Sequence, residues 1–412
     1  MTPLSPDERR LRRETKRRRI RRRRIGALCF LVLLALAFVG GLASSGALGG
    51  RDAAAADTTP TESTSTQTTA TETTAPATTA TTTTTPTTTT KPSTTTETTS
   101  RGRLGSGRAV TLAFGGDVHF EGIVRARLDA GTSLPFAPIA PVLRRADLAM
   151  VNLETTVSYG GSPTPGKEYT FRAPPTAILA LKRGGVDVAT VANNHGVDYG
   201  ITSLLDTLRY AKRYHFPLVG GGLNATQAYG PYRVTIKGQR ISILAASQVI
   251  DSNLISLWTA GTGKPGIAQA YDLTRLIASV KAARKNSDTV VVYIHFGIER
   301  QGCPSSLQID TARRLVAAGA DIVVGSHAHQ QQGAGRLGQA LVDYGLGNFV
   351  WYSAGSSAST TTGVLKVTVT GRRIDSYSWV PATIVNGSPT PRTGSAAIAS
   401  WRSLRGCTNL RP

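Results

Sequence analysis

From residue 110 onward, short apolar runs alternate with segments whose apolar residues recur at helical spacing. Residues 110–114, 148–153 and 186–192 are apolar runs of strand length, whereas 201–214 has apolar residues every three or four positions, as on one face of a helix. Residues 138–145 and 175–183 also have helical character. The first half of this region therefore predicts strands that alternate with helices.

The same alternation continues to about residue 344. Predicted helices at 273–285 and 306–318 precede apolar strands at 289–294 and 322–324. Two pairs of runs, one on each side of Gly238 and one on each side of Gly371, predict hairpins. The pattern predicts a single α/β domain at 109–387, with mixed sheets flanked by helices.

The N-terminal segment has a different pattern. Residues 9–24 are mostly arginine and lysine, and 25–39 contain no charge. A helix over 25–48 is about 36 Å long, which spans a bilayer core of about 30 Å. The one-sided basic run predicts a cytoplasmic tail at 1–24 and a single-pass anchor in the cell membrane, with the main domain outside. A cleaved signal peptide ending near 53–56 is the alternative, but the long basic segment favours an uncleaved signal-anchor.

Residues 49–108 are predicted to be a disordered extracytoplasmic stalk. Between 58 and 100 the chain is almost wholly threonine, with alanine, proline, serine and glutamate. Such a segment buries too little apolar surface to offset the entropy of ordering. Threonine- and proline-rich stalks outside the cell are candidates for O-glycosylation, and this one would hold the domain away from the membrane.

The formal net charge of +22 has two sources. Thirteen Lys and Arg in residues 1–51 form the topology signal, and residues from Arg101 onward carry 33 Lys and Arg against 17 Asp and Glu. The second surplus favours an anionic partner such as a polyanionic polymer, a phosphorylated glycan or an anionic wall, although a merely basic surface is the alternative. Nucleic acid is not expected, because the domain is exported and shows no helix-turn-helix or zinc-finger spacing.

Cys303 and Cys407 are the two cysteines of the exported part, whereas Cys29 lies in the apolar segment. Oxidation is expected outside the cytoplasm. The sequence therefore predicts a disulfide that ties a C-terminal tail, 388–412, to the loop after His295. Two free thiols are the alternative.

Five predicted strand ends carry side chains that can bind metal. In chain order they are Asp117 and His119, Glu154, Asn194 and His195, His295, and His327 and His329. Ligands gather at the carboxyl ends of strands in α/β folds. A carboxylate can bridge two cations about 3.5–4 Å apart, and imidazoles and amide oxygens complete the shells. The list predicts a site for two divalent ions, against the alternative that each histidine is an ordinary hydrogen-bonded loop residue. His215 matches no motif and is interpreted as structural.

Taken together, these motifs resemble a known family. They read Gly115-Gly116-Asp117-Val118, Val151-Asn152-Leu153-Glu154-Thr155, Ala192-Asn193-Asn194-His195 followed by Asp198, His295-Phe296-Gly297-Ile298-Glu299, Val324-Gly325-Ser326-His327-Ala328-His329 and Gly345-Leu346-Gly347-Asn348-Phe349. Their order resembles the calcineurin-like metallophosphoesterases. The particular residues in these motifs resemble those of the CapA branch, the poly-γ-glutamate capsule-synthesis family, and the resemblance extends over about 110–381.

The resemblance implies a calcineurin-like metallophosphoesterase sandwich with two divalent ions, which could be Mn, Fe, Zn or Mg. Asp117, His119 and His329 would hold one ion, and Asn194, His295 and His327 the other. Glu154 would bridge the two, in place of the aspartate common in the wider superfamily. His195 would face the substrate as a general acid or oxyanion stabiliser, oriented by Asp198.

The predicted function is that of an anchored extracytoplasmic protein for capsule, poly-γ-glutamate or related anionic envelope polymer biosynthesis. Its expected chemistry is metal-dependent hydrolysis or transfer at a phosphoester or a related electrophile. Its expected partners are the polymer or a phosphorylated substrate, and synthase subunits. The alternatives are a non-catalytic polymer-binding or synthase-partner module, and a general secreted phosphatase or nucleotidase. The full ligand set favours the first hypothesis.

Overall fold

Two large mixed β-sheets organise the part of the chain that the computed structural model describes, residues 102–352 and 356–412. The predicted cytoplasmic tail, the membrane segment 25–48 and most of the stalk lie outside the described residues. Among the helices of the described ranges, none combines the length and the apolar character needed to cross a bilayer.

The strands, in chain order, are β1 Val110–Val118, β2 Leu148–Leu153, β3 Thr156–Val157, β4 Arg172–Ala173, β5 Val188–Thr190, β6 Leu218–Val219, β7 Gly221–Gly222, β8 Tyr232–Ile236, β9 Gln239–Ser247, β10 Gly266–Ile267, β11 Thr289–Phe296, β12 Ile322–His327, β13 Ala334–Leu337, β14 Ala340–Asp343, β15 Asn348–Val350, β16 Thr361–Thr370, β17 Arg373–Val385 and β18 Ser388–Pro391.

The helices of the described residues are α1 Gly122–Ala130, α2 Ala140–Leu143, α3 Thr176–Arg183, α4 Gly200–Arg213, α5 Ala225–Ala228, α6 Ile255–Trp258, α7 Thr274–Lys285, α8 Ser306–Ala318, α9 Ser357–Thr360 and α10 Ser395–Ser403, followed by a 3-10 turn at Leu404–Cys407. Helix α8 shows how local sequence sets these bounds. Ser305 and Gln308 form a capping box at its start, and Gly319 ends it with a φ of 116°.

The first sheet has the order β18-β17-β16-β1-β2-β5-β6, with β15 also paired to β1. Its β1, β2, β5 and β6 strands are parallel, and hairpins add β16, β17 and β18 antiparallel to one side. The second sheet has the order β13-β14-β12-β11-β9-β8, with β9, β11, β12 and β14 parallel. The described residues therefore form the mixed α/β fold that the alternation predicts.

Side-chain alternation along the central strands packs the two sheets against each other. Leu112 and Phe114 of β1 share a buried cluster with Val291 and Tyr293 of β11. Side chains on the opposite faces of these strands pack against helices. Val292 of β11 packs with the apolar positions of α7 and α8, and Ala113 of β1 packs with those of α1, α3 and α4. Because both faces of the central strands are covered, they read as continuous apolar runs.

Several strands extend beyond the apolar runs that predict them. Strand β1 continues through Asp117, β11 through His295 and β12 through His327. These three residues therefore lie within the ends of strands, whereas His119, Glu154, Asn194, His195 and His329 lie just after them. Ladder hydrogen bonds to neighbouring strands offset the low apolar content of the three residues within the strands.

Residues 388–412, expected to be a tail, contribute β18 and α10 to the described fold. Trp401 of α10 stacks on Trp379 of β17 with ring centroids 5.3 Å apart. The structure contains the disulfide that the sequence predicts, with the Cα atoms of Cys303 and Cys407 separated by 5.7 Å. Helices α1 and α10 have no counterpart in the sequence prediction, because each buries only one or two side chains and so has little apolar periodicity.

Candidate metal centre

The candidate centre lies where the carboxyl ends of β1 and β2 in one sheet approach those of β11 and β12 in the other. Asp117, Glu154 and His295 are fully buried, and His327 is 5 % exposed. Strand β1 pairs with β2 and β15, while His327 pairs with Phe296 of β11. Backbone register in two sheets thus brings these side chains to one place.

Gly116 allows the close approach that positions Asp117. A Cβ at Gly116 would lie 1.8 Å from the carbonyl oxygen of Gly347, so only glycine fits there. The Asp117 amide donates to that same oxygen over 3.0 Å. Asp117 Oδ1 accepts a hydrogen bond of 2.8 Å from Asn152 Nδ2, and Oδ2 accepts one of 3.2 Å from the His327 amide. Asp117 is therefore held at its backbone amide and at both carboxylate oxygens.

Glu154 carries the strongest sign of an incomplete site. Its carboxylate is buried, and neither oxygen has a hydrogen-bond partner among the described residues. Oε1 lies 3.5 Å from His295 Nε2 and 4.0 Å from His195 Nε2. Burial raises the pKa of Glu154 well above its ordinary value, and the charge of Asp117 raises it further. A buried carboxyl without partners is costly unless a cation satisfies it.

The histidines of the centre offer neutral ring nitrogens. His295 Nδ1 lies 3.0 Å from Ser326 Oγ, and Nε2 lies 2.7 Å from Asn194 Oδ1. His327 Nδ1 is buried without a hydrogen-bond partner in the described chain. Burial lowers the pKa of His327 to about 3 and lowers that of His295 well below its ordinary value. Neutral imidazole is the form that binds metal.

His329 lies on the other side of Asp117. Its Nδ1 is 3.4 Å from Asp117 Oδ2 and 2.9 Å from Asn348 Oδ1. Burial lowers the pKa of His329, but the hydrogen bond and charge of Asp117 outweigh it, so the net shift is upward. His327 and His329 both have positive φ, 93° and 54°. This backbone is unfavourable for histidine, and such strain is concentrated at functional sites.

Three groups of donor atoms lie close enough to share an ion, with all atoms of a group within 4.8 Å of one another. They are Glu154, His295 and His327; Asp117, Glu154 and His329; and Glu299, His327 and His329. The first two groups share Glu154. Carboxylates and neutral imidazoles are a donor set that suits divalent transition metals. The residues present therefore fit such an ion.

His119 has different surroundings from the other predicted ligands. Its Nδ1 lies 3.1 Å from the Glu121 amide and its Nε2 lies 3.1 Å from the Tyr352 amide, and its ring packs against Phe171 and Trp351. Strand β1 ends at Val118, so His119 lies just beyond the strand and is not held to its side-chain alternation. The structure brings Asp117 together with Glu154 and His329, and leaves His119 outside the three donor groups.

His195 and Asp198 are brought together as the sequence predicts. His195 Nδ1 lies 2.6 Å from Asp198 Oδ2, which also accepts a 2.6 Å hydrogen bond from the Phe171 amide. Lys167 Nζ forms an ion pair with Asp198 Oδ1 and is almost buried. Burial lowers the pKa of His195 more than Asp198 raises it. With Nδ1 held by Asp198, Nε2 is the ring nitrogen that faces Glu154.

A cleft of about 430 Å³ opens beside the centre. It is lined by His195 and His329 of the centre, by the aromatic residues Tyr169, Phe171, Trp351 and Tyr352, and by Glu299, Arg300, Gln330, Asn348, Ser356 and Ser359. Its aromatic and polar lining gives a substrate access to two histidines at the edge of the candidate centre.

Sequence reasoning gave no role to Lys167 or Phe171, and no spacing signal marks them, because both come from the segment between β3 and β4, where the sequence predicts no strand. Asn152 lay inside a quoted motif, and its link between Asp117 and His295 became visible only in the structure. His215, interpreted as structural, is exposed in a surface groove with Lys212 and Arg233.

Comparisons with known proteins match the part of the chain that carries these motifs. The family described as bacterial capsule synthesis protein PGA_cap matches residues 111–353. The chain is 30% identical over 271 residues to the capsule biosynthesis protein CapA of Bacillus anthracis, covering 64% of this chain and 65% of that protein. It is 29% identical over 266 residues to the PGA biosynthesis protein CapA of Bacillus subtilis, covering 63% of this chain and 68% of that one.

Solved structures give lower similarity. A hypothetical protein from Thermus thermophilus superposes with a TM-score of 0.42 at 17% identity, covering 66% of this chain and 99% of that one. A 5'-nucleotidase from Candida albicans superposes with a TM-score of 0.38 at 12% identity, covering 73% of this chain and 54% of that one. The match over residues 111–353 spans more than half of the sequence and includes all the candidate ligands, so the chain belongs to the bacterial capsule synthesis PGA_cap family.

Proposed function

We propose that this protein acts in making, attaching or releasing an anionic envelope polymer such as poly-γ-glutamate, through a site that holds two divalent ions. The single observation that carries the two-ion site is Glu154. Its buried carboxylate has no hydrogen-bond partner in the described chain and belongs to two donor groups at once. The relatives named for capsule and PGA biosynthesis support the choice of polymer.

In this proposal, Asp117 and His329 hold one ion, and Asn194, His295 and His327 hold the other, with Glu154 between them. His119 belongs to the first ion only if its ring turns away from the two amides that it now faces. Bound divalent ions supply positive charge that activates water and stabilises a developing anion. The substrate is a phosphoester or a related electrophile that enters by the aromatic cleft.

His195 is proposed to act on the substrate and not on the ions. Asp198 accepts at Nδ1, which directs Nε2 toward the centre and fixes the ring. In the doubly protonated ring, which the Asp198 carboxylate stabilises, Nδ1–H donates to Asp198 and Nε2–H can give a proton to a leaving group or donate a hydrogen bond to an oxyanion. Lys167 balances the Asp198 carboxylate and so keeps this pair in one arrangement.

The test is metal analysis of the purified full chain after incubation with Mn²⁺, Zn²⁺ or Mg²⁺, together with phosphoesterase assays and polymer measurements in cells. Two equivalents of metal are expected. Asp117→Ala should lose metal and activity together, whereas His195→Ala should keep the metal and lose activity. Less than one equivalent of metal contradicts the two-ion site. Bound metal with no effect of either variant in cells assigns the site a structural role.

We also propose that residues 25–48 anchor the protein in the cell membrane and that the domain lies outside the cytoplasm. The Cys303–Cys407 disulfide supports this, because such bonds persist in oxidising compartments. A reporter fused to the C-terminus should be active only outside the cytoplasm. Reporter activity confined to the cytoplasm would contradict the proposed topology.

A further inference from the structure

A group of arginines lies on the surface next to the C-terminal segment. The backbone amide of Arg336 in β13 donates to the Arg411 carbonyl oxygen over 2.7 Å, and the Arg411 amide donates to the Arg336 carbonyl oxygen over 2.9 Å. The Arg405 side chain crosses the same strand, since a Cβ at Gly335 would lie 2.8 Å from Arg405 Cδ. These three residues and Arg313, which acts electrostatically on Tyr344 near Asn409, are called the basic face below.

The basic face has cations without matching anions. The guanidinium groups of Arg336, Arg405 and Arg411 contact neutral oxygens of Ile374, Tyr377 and Gly338 respectively. None of the three forms an ion pair with another residue in the described ranges. Residues 328–342 and 376–412, which build most of this surface, contain no Asp or Glu. The nearby Asp375 is already paired with Arg373 over 2.6 Å.

The disulfide joins the basic face to the cleft. Cys407, two residues after Arg405, is bonded to Cys303, and the same loop carries Arg300 in the cleft lining. Gln332 reinforces this connection, because its side-chain amide donates to the carbonyl oxygens of Gln301 and Cys303 over 2.9 and 3.2 Å. The C-terminal segment that carries Arg405 is therefore covalently tied to the loop that places Arg300, next to Glu299, in the cleft lining.

We propose that the basic face binds a linear polyanion and directs it toward the cleft. The reaction in the cleft rests on the proposed function, whereas binding at the basic face does not. Repeating carboxylates or phosphates have the shared chemistry that unpaired guanidinium groups recognise, through charge-assisted and bidentate hydrogen bonds. Several cations in a row suit a chain that carries an anion on each repeat, because each contact then adds to the others.

The test compares variants of the full chain in detergent micelles at low ionic strength. The face variant carries Arg336→Gln, Arg405→Gln and Arg411→Gln. The matched control carries Arg145→Gln, Lys212→Gln and Arg213→Gln, which remove the same charge from exposed positions elsewhere. The probes are length-defined polyglutamate, polyphosphate of similar charge and neutral dextran, each measured by fluorescence anisotropy.

The face variant should bind the polyanion about tenfold more weakly, because Arg411 is exposed, Arg336 and Arg405 are half-buried, and each loses a charge-assisted contact with the polymer. The control should stay within about twofold of the unaltered chain. The charge-preserving variant with Arg336→Lys, Arg405→Lys and Arg411→Lys should retain most of the binding, which separates lost charge from lost folding. Tighter binding of polyglutamate identifies a carboxylate polymer, and tighter binding of polyphosphate a phosphate polymer.

Equal weakening of face and control variants, or dextran binding as tight as that of either polyanion, overturns the proposal. Metal content is measured on the same samples. A face variant with full metal content and weak polymer binding supports the proposal independently of the metal centre. An unaltered chain that binds polyanion through this face but holds no metal contradicts the proposed function and leaves the basic face standing.

Discussion

Replacing Glu154 by glutamine removes one buried ionisable carboxyl group and keeps nearly the same shape. In the metal-free protein, burial holds the pKa of Glu154 well above 4.5, so the folded state keeps a proton that the unfolded state has lost. Stability is then fullest below about pH 4.5 and falls as pH rises toward the folded pKa, by at most about 1.4 kcal/mol per pH unit. Glu154→Gln has no ionisable group at this position, so this decrease in stability with rising pH should be absent from the variant.

The expected magnitude can be followed by thermal unfolding. For a domain of this size, 1 kcal/mol shifts the Tm by about 2 °C. In EDTA, the Tm of Glu154→Gln should therefore rise relative to the unaltered protein by up to about 3 °C for each pH unit above about 4.5. With metal at about a hundred times its Kd, the unaltered protein should gain about 2.7 kcal/mol, or about 5 °C, and the variant less than half of that.

Asp343→Asn provides a matched control. Asp343 is also buried, its Oδ2 lacks a hydrogen-bond partner in the described chain, and burial raises its pKa to about 8. It does not belong to any of the three donor groups. Its replacement should flatten the pH dependence in EDTA and leave the metal-induced gain unchanged. Parallel pH profiles of Glu154→Gln and the unaltered protein would refute the buried, protonated carboxyl, and an undiminished metal effect would refute Glu154 as a ligand.

Three further predictions concern stability. Without metal, burial holds the pKa of His327 at about 3, so the protein should lose stability as pH falls below about 6.5, and His327→Gln should reduce that slope in urea titrations; an unchanged slope contradicts this. Lys167→Met should cost about 3–5 kcal/mol in urea because it leaves Asp198 buried without its cation, and a double variant with Asp198→Asn should recover part of it; strict additivity contradicts the pairing. Cys407→Ser opens a bridge between residues separated by 104 positions and should cost about 2–5 kcal/mol by thermal unfolding, whereas an unchanged Tm contradicts a stabilising disulfide.

Local pattern predicted the central strands and most long helices well. Leu148–Leu153 and Ser306–Ala318 have the bounds expected from their apolar runs and caps. The prediction was poorer for 138–145, where only Ala140–Leu143 is helical, and it missed α1 and α10. These segments bury few side chains, so their conformation depends on contacts with distant strands, such as Trp401 on Trp379.

The family, the mixed α/β class and the kinds of donor available could all be read from the chain alone, because strand-end motifs and continuous apolar runs are local properties. Which donors share a centre depends on how distant segments pack. Asp117 and His329 are brought together because two sheets meet at one edge, whereas His119, two residues after Asp117, faces the Glu121 and Tyr352 amides instead. The partners of Glu154 and the ion pair of Lys167 are likewise set by packing between distant segments, which no spacing along the chain encodes.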